Sequence, residues 1–225
     1  MDKPPSGPEP GSAAVLQILS TEHWSLLATR SLTYTESFSR VGMFLSVLSG
    51  AVIALALIAQ ADRFGPTFVL IAILLLSVVL FVGVGTIARL MAINQDDLRW
   101  VIGMNRLRHA YLEMHPELER YFVASHRDDI RGISLTMGLE NVPDRGFRAL
   151  FHGLQTLPGM VSVIVAVVFG ALCGLAAHAA AAPTAVVVIA ALGGFVASLV
   201  LSTIWGIRSI AGYAKRVAPQ FPGVG

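Results

Sequence analysis

From Ala149 to Ile207 the chain runs 59 residues without one Asp, Glu, Lys or Arg, and this interval constrains the fold more than any other feature. Two shorter charge-free intervals precede it, 21 residues from Val41 to Ala61 and 25 from Phe64 to Ala88. Either one, wound at about 1.5 Å per residue, reaches across the roughly 30 Å of a bilayer core. The 59-residue interval is too long for a single crossing. Pro183, after His178 and a run of alanines, supplies the break, so the last two spans run Leu157–Ala177 and Thr184–Ile207. Only 13% of the 225 residues are charged and 55% are apolar, against about 25% charged in soluble domains. An ordinary cytosolic enzyme, a disordered chain and a disulfide-stapled domain are excluded. Lipid offers the backbone no hydrogen-bond partner, so the spans are helices; the strand preference of Ala185-Val186-Val187-Val188-Ile189 yields.

Orientation follows from basic residues near the span ends. Arg30, Arg40, Arg89, Arg99, Arg106, Arg108, Arg145, Arg148, Arg208, Lys215 and Arg216 flank one side, and Arg63 alone lies in the two short hairpin loops. Both termini and the central segment are therefore expected in the cytoplasm. The start does not read as a signal peptide, because Glu22, Arg30 and Glu36 interrupt its apolar run. The expected organisation is a disordered tail at 1–12, a cytoplasmic amphipathic helix at 13–40, a transmembrane hairpin at 41–88, a cytoplasmic helical segment at 89–156, a second hairpin at 157–207 and a cytoplasmic tail at 208–225, unstructured from Ala218 onward.

Within the cytoplasmic parts, Trp24, Leu27, Ala28, Ser31 and Phe38 recur at helical steps. They predict an apolar face that lies on the membrane or runs straight into the first span. After the second span, Trp100, Met104, Leu107, Tyr111, Met114, Leu118 and Tyr121 alternate steps of four and three, the spacing of a helix seam. The seam meets either the helix before the first span or its counterpart in a second copy. Pro116 interrupts it, so the helix leaving the second span is expected to end near Met114 and a short one to restart at Pro116. Asp144, Phe147, Leu150, Phe151 and Leu154, with Arg145 and Arg148, read as an N-capped interfacial helix.

Residues capable of chemistry are sparse. His126, Asp128 and Asp129, with His115 or Glu119, lack the spacing of a metal site and read as a solvated turn; Asp96 and Asp97 read as a polar collar. There is no nucleophile elbow, P-loop or dinucleotide fingerprint. No enzyme activity, cofactor or metal is expected. The nine basic and nine acidic residues between Arg89 and Pro158 argue against nucleic-acid binding. Cys173 is single, so no intrachain disulfide can form. None of the spans holds an Asp, Glu, Lys or Arg, which disfavours a proton-coupled pump. Small residues four apart, Ser46, Gly50 and Ala54, then Gly170 and Gly174, then Gly194, Ser198 and Ser202, mark helix-packing faces for a compact bundle or a homo-oligomer.

At Arg30-Ser31-Leu32-Thr33-Tyr34-Thr35-Glu36-Ser37-Phe38-Ser39-Arg40, continuing through Val41-Gly42-Met43-Phe44-Leu45, and again from Gly103 to Glu113, the chain resembles a family of uncharacterised bacterial four-helix integral membrane proteins. The resemblance covers about half of the chain and implies a multipass inner-membrane protein without assigning an activity. A looser likeness of topology is to the membrane modules of bacterial antiphage effectors. The expectation is an all-α polytopic protein, four transmembrane helices in two hairpins with a helical cytoplasmic cap. Its partners are membrane lipid and a second copy, joined through the cytoplasmic helix or the small-residue spans. Its role is that of a scaffold or regulatory subunit, the alternative being a small oligomeric channel or membrane-disrupting effector.

Overall fold

The computed structural model describes residues 12–139, 153–214 and 218–223, and among them every regular element is helical. Helix α1 runs Ser12–Asp62, α2 Pro66–Met114, α3 Ile130–Thr136, α4 Leu157–Ala179 and α5 Thr184–Ala214, with a 3₁₀ turn at Pro116–Tyr121. Four of these, α1, α2, α4 and α5, are long and apolar enough to cross a membrane. The interfacial helix expected around Asp144–Phe151 lies outside the described residues, as does the tail before Ser12. The described residues divide into two compact units, 12–33 with 96–139 and 218–223, and 34–95 with 153–214.

The second unit holds the three charge-free intervals, the longest of them making both α4 and α5. Its α1 and α2 segments are antiparallel: Glu36 meets Arg89 and Phe44 meets Gly83, one number rising as the other falls. The tight connection places Arg63 and Phe64 at φ 48° and 63°, in the left-handed region that costs non-glycine residues energy. Two bonds hold it, Gly65 N to Asp62 O at 2.9 Å and Phe68 N to the Asp62 carboxylate at 2.7 Å. Phe44 and Ala51 of α1, Leu76, Val79, Ile87, Leu90 and Met91 of α2, and Val161, Val165 and Val168 of α4 form one buried core. Gly83 makes that three-helix contact, since a Cβ there would lie 2.5 Å from Val165 and 3.0 Å from Phe44.

Helices α4 and α5 pack through glycine. A Cβ at Gly170 would stand 2.7 Å from the Ala191 carbonyl, one at Gly174 3.2 Å from the Ala191 side chain, and one at Gly194 2.7 Å from Cys173 Sγ. Gly170, Gly174 and Gly194 lie where α4 and α5 approach each other, with Ser198 and Ser202 half-buried further along α5. Helix α4 ends where Ala181 takes φ 55° and the N–H groups of Ala181 and Ala182 reach back to His178 O and Ala177 O. This is the paired-bond helix stop usually built on glycine, followed at once by Pro183. Helix α5 continues beyond the expected boundary at Ile207 to Ala214. Gln95 Nε2 donates to Ser209 Oγ at 2.6 Å on that extension.

One small-residue face behaves differently. Ser46 and Gly50 are exposed, and a Cβ at Gly50 would meet nothing within 4 Å. Ser46 Oγ bonds back to Gly42 O of its own helix, and Ala54 is half-buried. Within one chain Ser46 and Gly50 do not hold helices together, because the inward face of α1 is the neighbouring one carrying Phe44, Leu48 and Ala51.

The first unit also pairs α1 with α2 antiparallel. Leu26 closes on Gly103, the His23 ring stacks on Tyr111 at 5.9 Å, and Arg30 forks onto Asp97 at 2.7 and 3.2 Å. The apolar face expected to lie on the membrane or run into the first span is not the one that packs on α2. Trp24, at 71% exposure, Leu27, Ala28, Ser31 and Phe38 all point outward. The reason is the partner surface: the positions of α1 that turn inward here are His23, Leu26 and Arg30, which meet Tyr111, Gly103 and Asp97 of α2.

Candidate functional site

The densest polar structure in the molecule lies in the first unit around Asn105, which is completely buried on α2. An asparagine so placed must find partners for both amide hydrogens and for its carbonyl oxygen. Nδ2 donates to Arg127 O at 2.7 Å and Gly132 O at 3.3 Å, and Oδ1 accepts from Arg108 Nη1 at 2.7 Å and Thr136 Oγ1 at 2.9 Å. Thr136 Oγ1 in turn accepts from Ser125 N, and Ser125 Oγ accepts from Arg127 N. Asn105 therefore fastens the loop 125–129 and α3 to α2. Gly132 is required there: a Cβ would collide with the Arg127 carbonyl.

Asp128, 2% exposed, occupies the centre of that loop. Oδ2 accepts from Arg106 Nε at 2.8 Å and from Gln220 N at 2.8 Å, and Oδ1 accepts from Phe221 N at 2.8 Å. Asp129 caps α3 by accepting from Gly132 N at 2.7 Å, and its other oxygen accepts from Gly223 N at 2.8 Å. Burial alone would push the Asp128 carboxyl up, but the Gln220 and Phe221 amides and the Arg106 guanidinium outweigh it and hold the group below the usual range. For Asp129 the Gly223 and Gly132 amides lead in the same direction.

The turn expected at residues 125–129 to be solvated is thus a buried clamp, and residues 218–223, expected to be unstructured, are held in it. The physical reason is that a carboxylate can be buried when charged donors and backbone N–H groups surround it, and here the amides of Gln220, Phe221 and Gly223 come from a segment about ninety residues away in sequence, with Arg106 supplied by α2. Aromatic stacking completes the arrangement. The His109 ring stacks on Phe221 with centroids 4.0 Å apart and on His126 at 5.7 Å. His109 Nδ1 is buried without a hydrogen-bond partner.

The seam residues divide. Met104 is buried, Trp100, Leu107, Tyr111 and Met114 are half-buried, and Leu118 and Tyr121 are exposed on the 3₁₀ turn. Tyr111 stacks on His23, and Leu107 lines a groove with Gln17, Ile18, Leu19, Thr21 and Glu22 of α1. The middle of the seam is thus occupied by α1 of the same chain. Asp97, expected as part of a polar collar, is the buried partner of Arg30. Asn105 and Gly83 were invisible to pattern reading, since a lone Asn in a helix and a lone Gly in a span carry no periodic signal. Among the described residues no group of three or more His, Cys, Asp or Glu is arranged to hold a metal ion.

Protein-family models, curated proteins and solved structures were all compared with the chain, and none matches it.

Proposed function

We propose that this chain is a four-span protein of a bacterial inner membrane, of the uncharacterised family it resembles, and that it acts as a non-enzymatic scaffold or regulatory subunit. The observation that carries the reading is the outward apolar surface of its long helices. Val52, Ile53 and Leu57 on α1, Leu70, Leu74 and Phe81 on α2, Val167 on α4, and Ile189, Leu192 and Leu201 on α5 are all exposed, Phe81 at 81%. Water would not tolerate so extended an apolar surface, whereas hydrocarbon requires it. Helices α1 and α2 support a cap outside the bilayer, because their 51 and 49 residues extend about 75 Å, more than twice the core thickness. The eleven-to-one distribution of basic residues supports a cytoplasmic side for that cap and both termini.

The polar clamp supports a structural role over a catalytic one, since both oxygens of Asp128 and of Asp129 are engaged in bonds that hold chain segments together. With Cys173→Ala as background, a membrane-impermeant maleimide should label Phe64→Cys in intact cells and Val123→Cys only after permeabilisation. The reverse pattern would overturn the orientation, and labelling of both in intact cells would overturn the spans. Photocrosslinking from Trp24 and Val123 positions in cells should then yield a discrete adduct, and none at either position would count against a scaffold. A small oligomeric channel or membrane-disrupting effector is the second reading, favoured by the open face at Ser46 and Gly50. It predicts solute leakage from reconstituted liposomes, lost in Gly50→Leu.

A further inference from the structure

The segment Ala218–Gly223 lies largely exposed, yet its backbone is bonded with unusual completeness. Pro219 and Pro222 have no N–H, and each of the three N–H groups present from Pro219 to Gly223, those of Gln220, Phe221 and Gly223, donates to a carboxylate of Asp128 or Asp129 at 2.8 Å. The carbonyl of Ala218 accepts from Arg106 Nη2 at 3.4 Å. The Phe221 ring stacks on His109, and Gly223 sits so close to the Arg127 guanidinium that a Cβ would lie 2.6 Å from Nη1. These contacts read three properties of a peptide: free amides at two adjacent positions and a third two residues on, an aromatic side chain at the second, and a residue without a side chain at the end; Pro219 and Pro222 fix the backbone on either side of the aromatic.

We propose that Arg106, His109, Arg127, Asp128 and Asp129 form a peptide-recognition site for a Pro-X-aromatic-Pro-Gly segment bent at its X and aromatic residues, and that residues 218–223 are its tethered ligand. The site is selective by chemistry. Paired carboxylates accept from backbone N–H groups, a capacity any peptide meets, but the stacked ring and the two prolines restrict which peptide fits. Prolines also lower the conformational entropy lost on docking. Tethering raises the effective concentration of the segment to about the millimolar range, so the site is filled by its own chain even if the free peptide binds weakly. This inference does not depend on the membrane reading, because the site and its ligand both belong to the first unit.

Amide exchange on the intact protein in detergent tests it directly. The amides of Gln220, Phe221 and Gly223 should exchange at least tenfold more slowly than in a synthetic peptide of residues 217–225, and Asp128→Asn should restore peptide-like rates at Gln220 and Phe221. Exchange at the free-peptide rate in the wild type would overturn the proposal. The recognition half is tested with a chain ending at Arg216 and a fluorescent peptide of residues 217–225. The shortened chain should bind the peptide at least tenfold more tightly than the full chain does, and a Phe221→Ala peptide should lose at least tenfold. Equal binding by both chains, or none by a shortened chain that keeps its helical circular dichroism, would show that the segment is merely laid down during folding. Should the shortened chain not fold, competition of the 217–225 peptide against exchange protection in the full chain decides the same point, acceleration supporting a releasable ligand and no effect at millimolar peptide refuting one.

Discussion

Asp128 concentrates the energetics of the first unit in one side chain. Its carboxylate is buried against Arg106 and two backbone amides, so removing it unpairs a guanidinium and frees the segment it holds. Asp128→Ala should cost about 1–3 kcal/mol, because two backbone amides lose their acceptor while Arg106, a third exposed, is re-solvated, read as a lower thermal midpoint in detergent. The pH dependence has a definite sign. Asp128 and Asp129 both titrate below their ordinary range when folded. The stability they contribute is therefore complete above the unfolded aspartate value, about 4, and is lost as pH falls through the lower folded values. The wild type should lose stability below about pH 4, and Asp128→Asn should show a shallower acid limb. An identical acid limb in that variant would assign the loss to other carboxylates.

At the scale of the element, the glycines predict opposite outcomes at two positions that look alike in sequence. Gly170→Leu puts a side chain where the Ala191 carbonyl already stands at 2.7 Å from the Cβ position. It should separate α4 from α5, at a cost of about 1–3 kcal/mol or more for overpacking, visible as a lower midpoint. Gly50→Ala has open space around it and should leave the midpoint of the monomer unchanged. Leu107→Glu offers a third test, because Leu107 faces the groove beside Gln17–Glu22. It should lower the midpoint with no change in native mass; dissociation of an oligomer would instead assign the seam to a subunit contact.

The element scale also shows what could be read without coordinates. The end of α2 at Met114 followed from Pro116, and the start of α5 at Thr184 followed from Pro183, because proline forbids the continuing helix whatever surrounds it. The inward face of α1 did not follow. Trp24, Leu27 and Phe38 are apolar and periodic, but periodicity identifies two opposite faces, and only the partner surface says which of them is covered. Asp97 on α2 requires Arg30 opposite it, and that pair turns the Arg30 side of α1 inward.

For the whole molecule, the four apolar helices predict that solubility depends on detergent or lipid. The purified protein should be monodisperse in detergent micelles and should aggregate when detergent is removed, as followed by light scattering. A chain that stays monodisperse in plain buffer would contradict the exposed surface of α5, whose Ile189, Leu192 and Leu201 have no covering in the described structure.

What the chain's composition and order determined by themselves are its four apolar helices and the breaks at Pro116 and Pro183, because a run without charges and a proline act locally and need no partner, whereas α3 and the extension of α5 to Ala214 were not legible. What only tertiary structure decided are the pairings: Arg30 with Asp97, Gly83 among three helices, and Asp128 with the backbone of residues 220 and 221. A buried charge is admissible only beside its counterpart, and that counterpart can lie anywhere along the chain that folding brings within hydrogen-bonding distance.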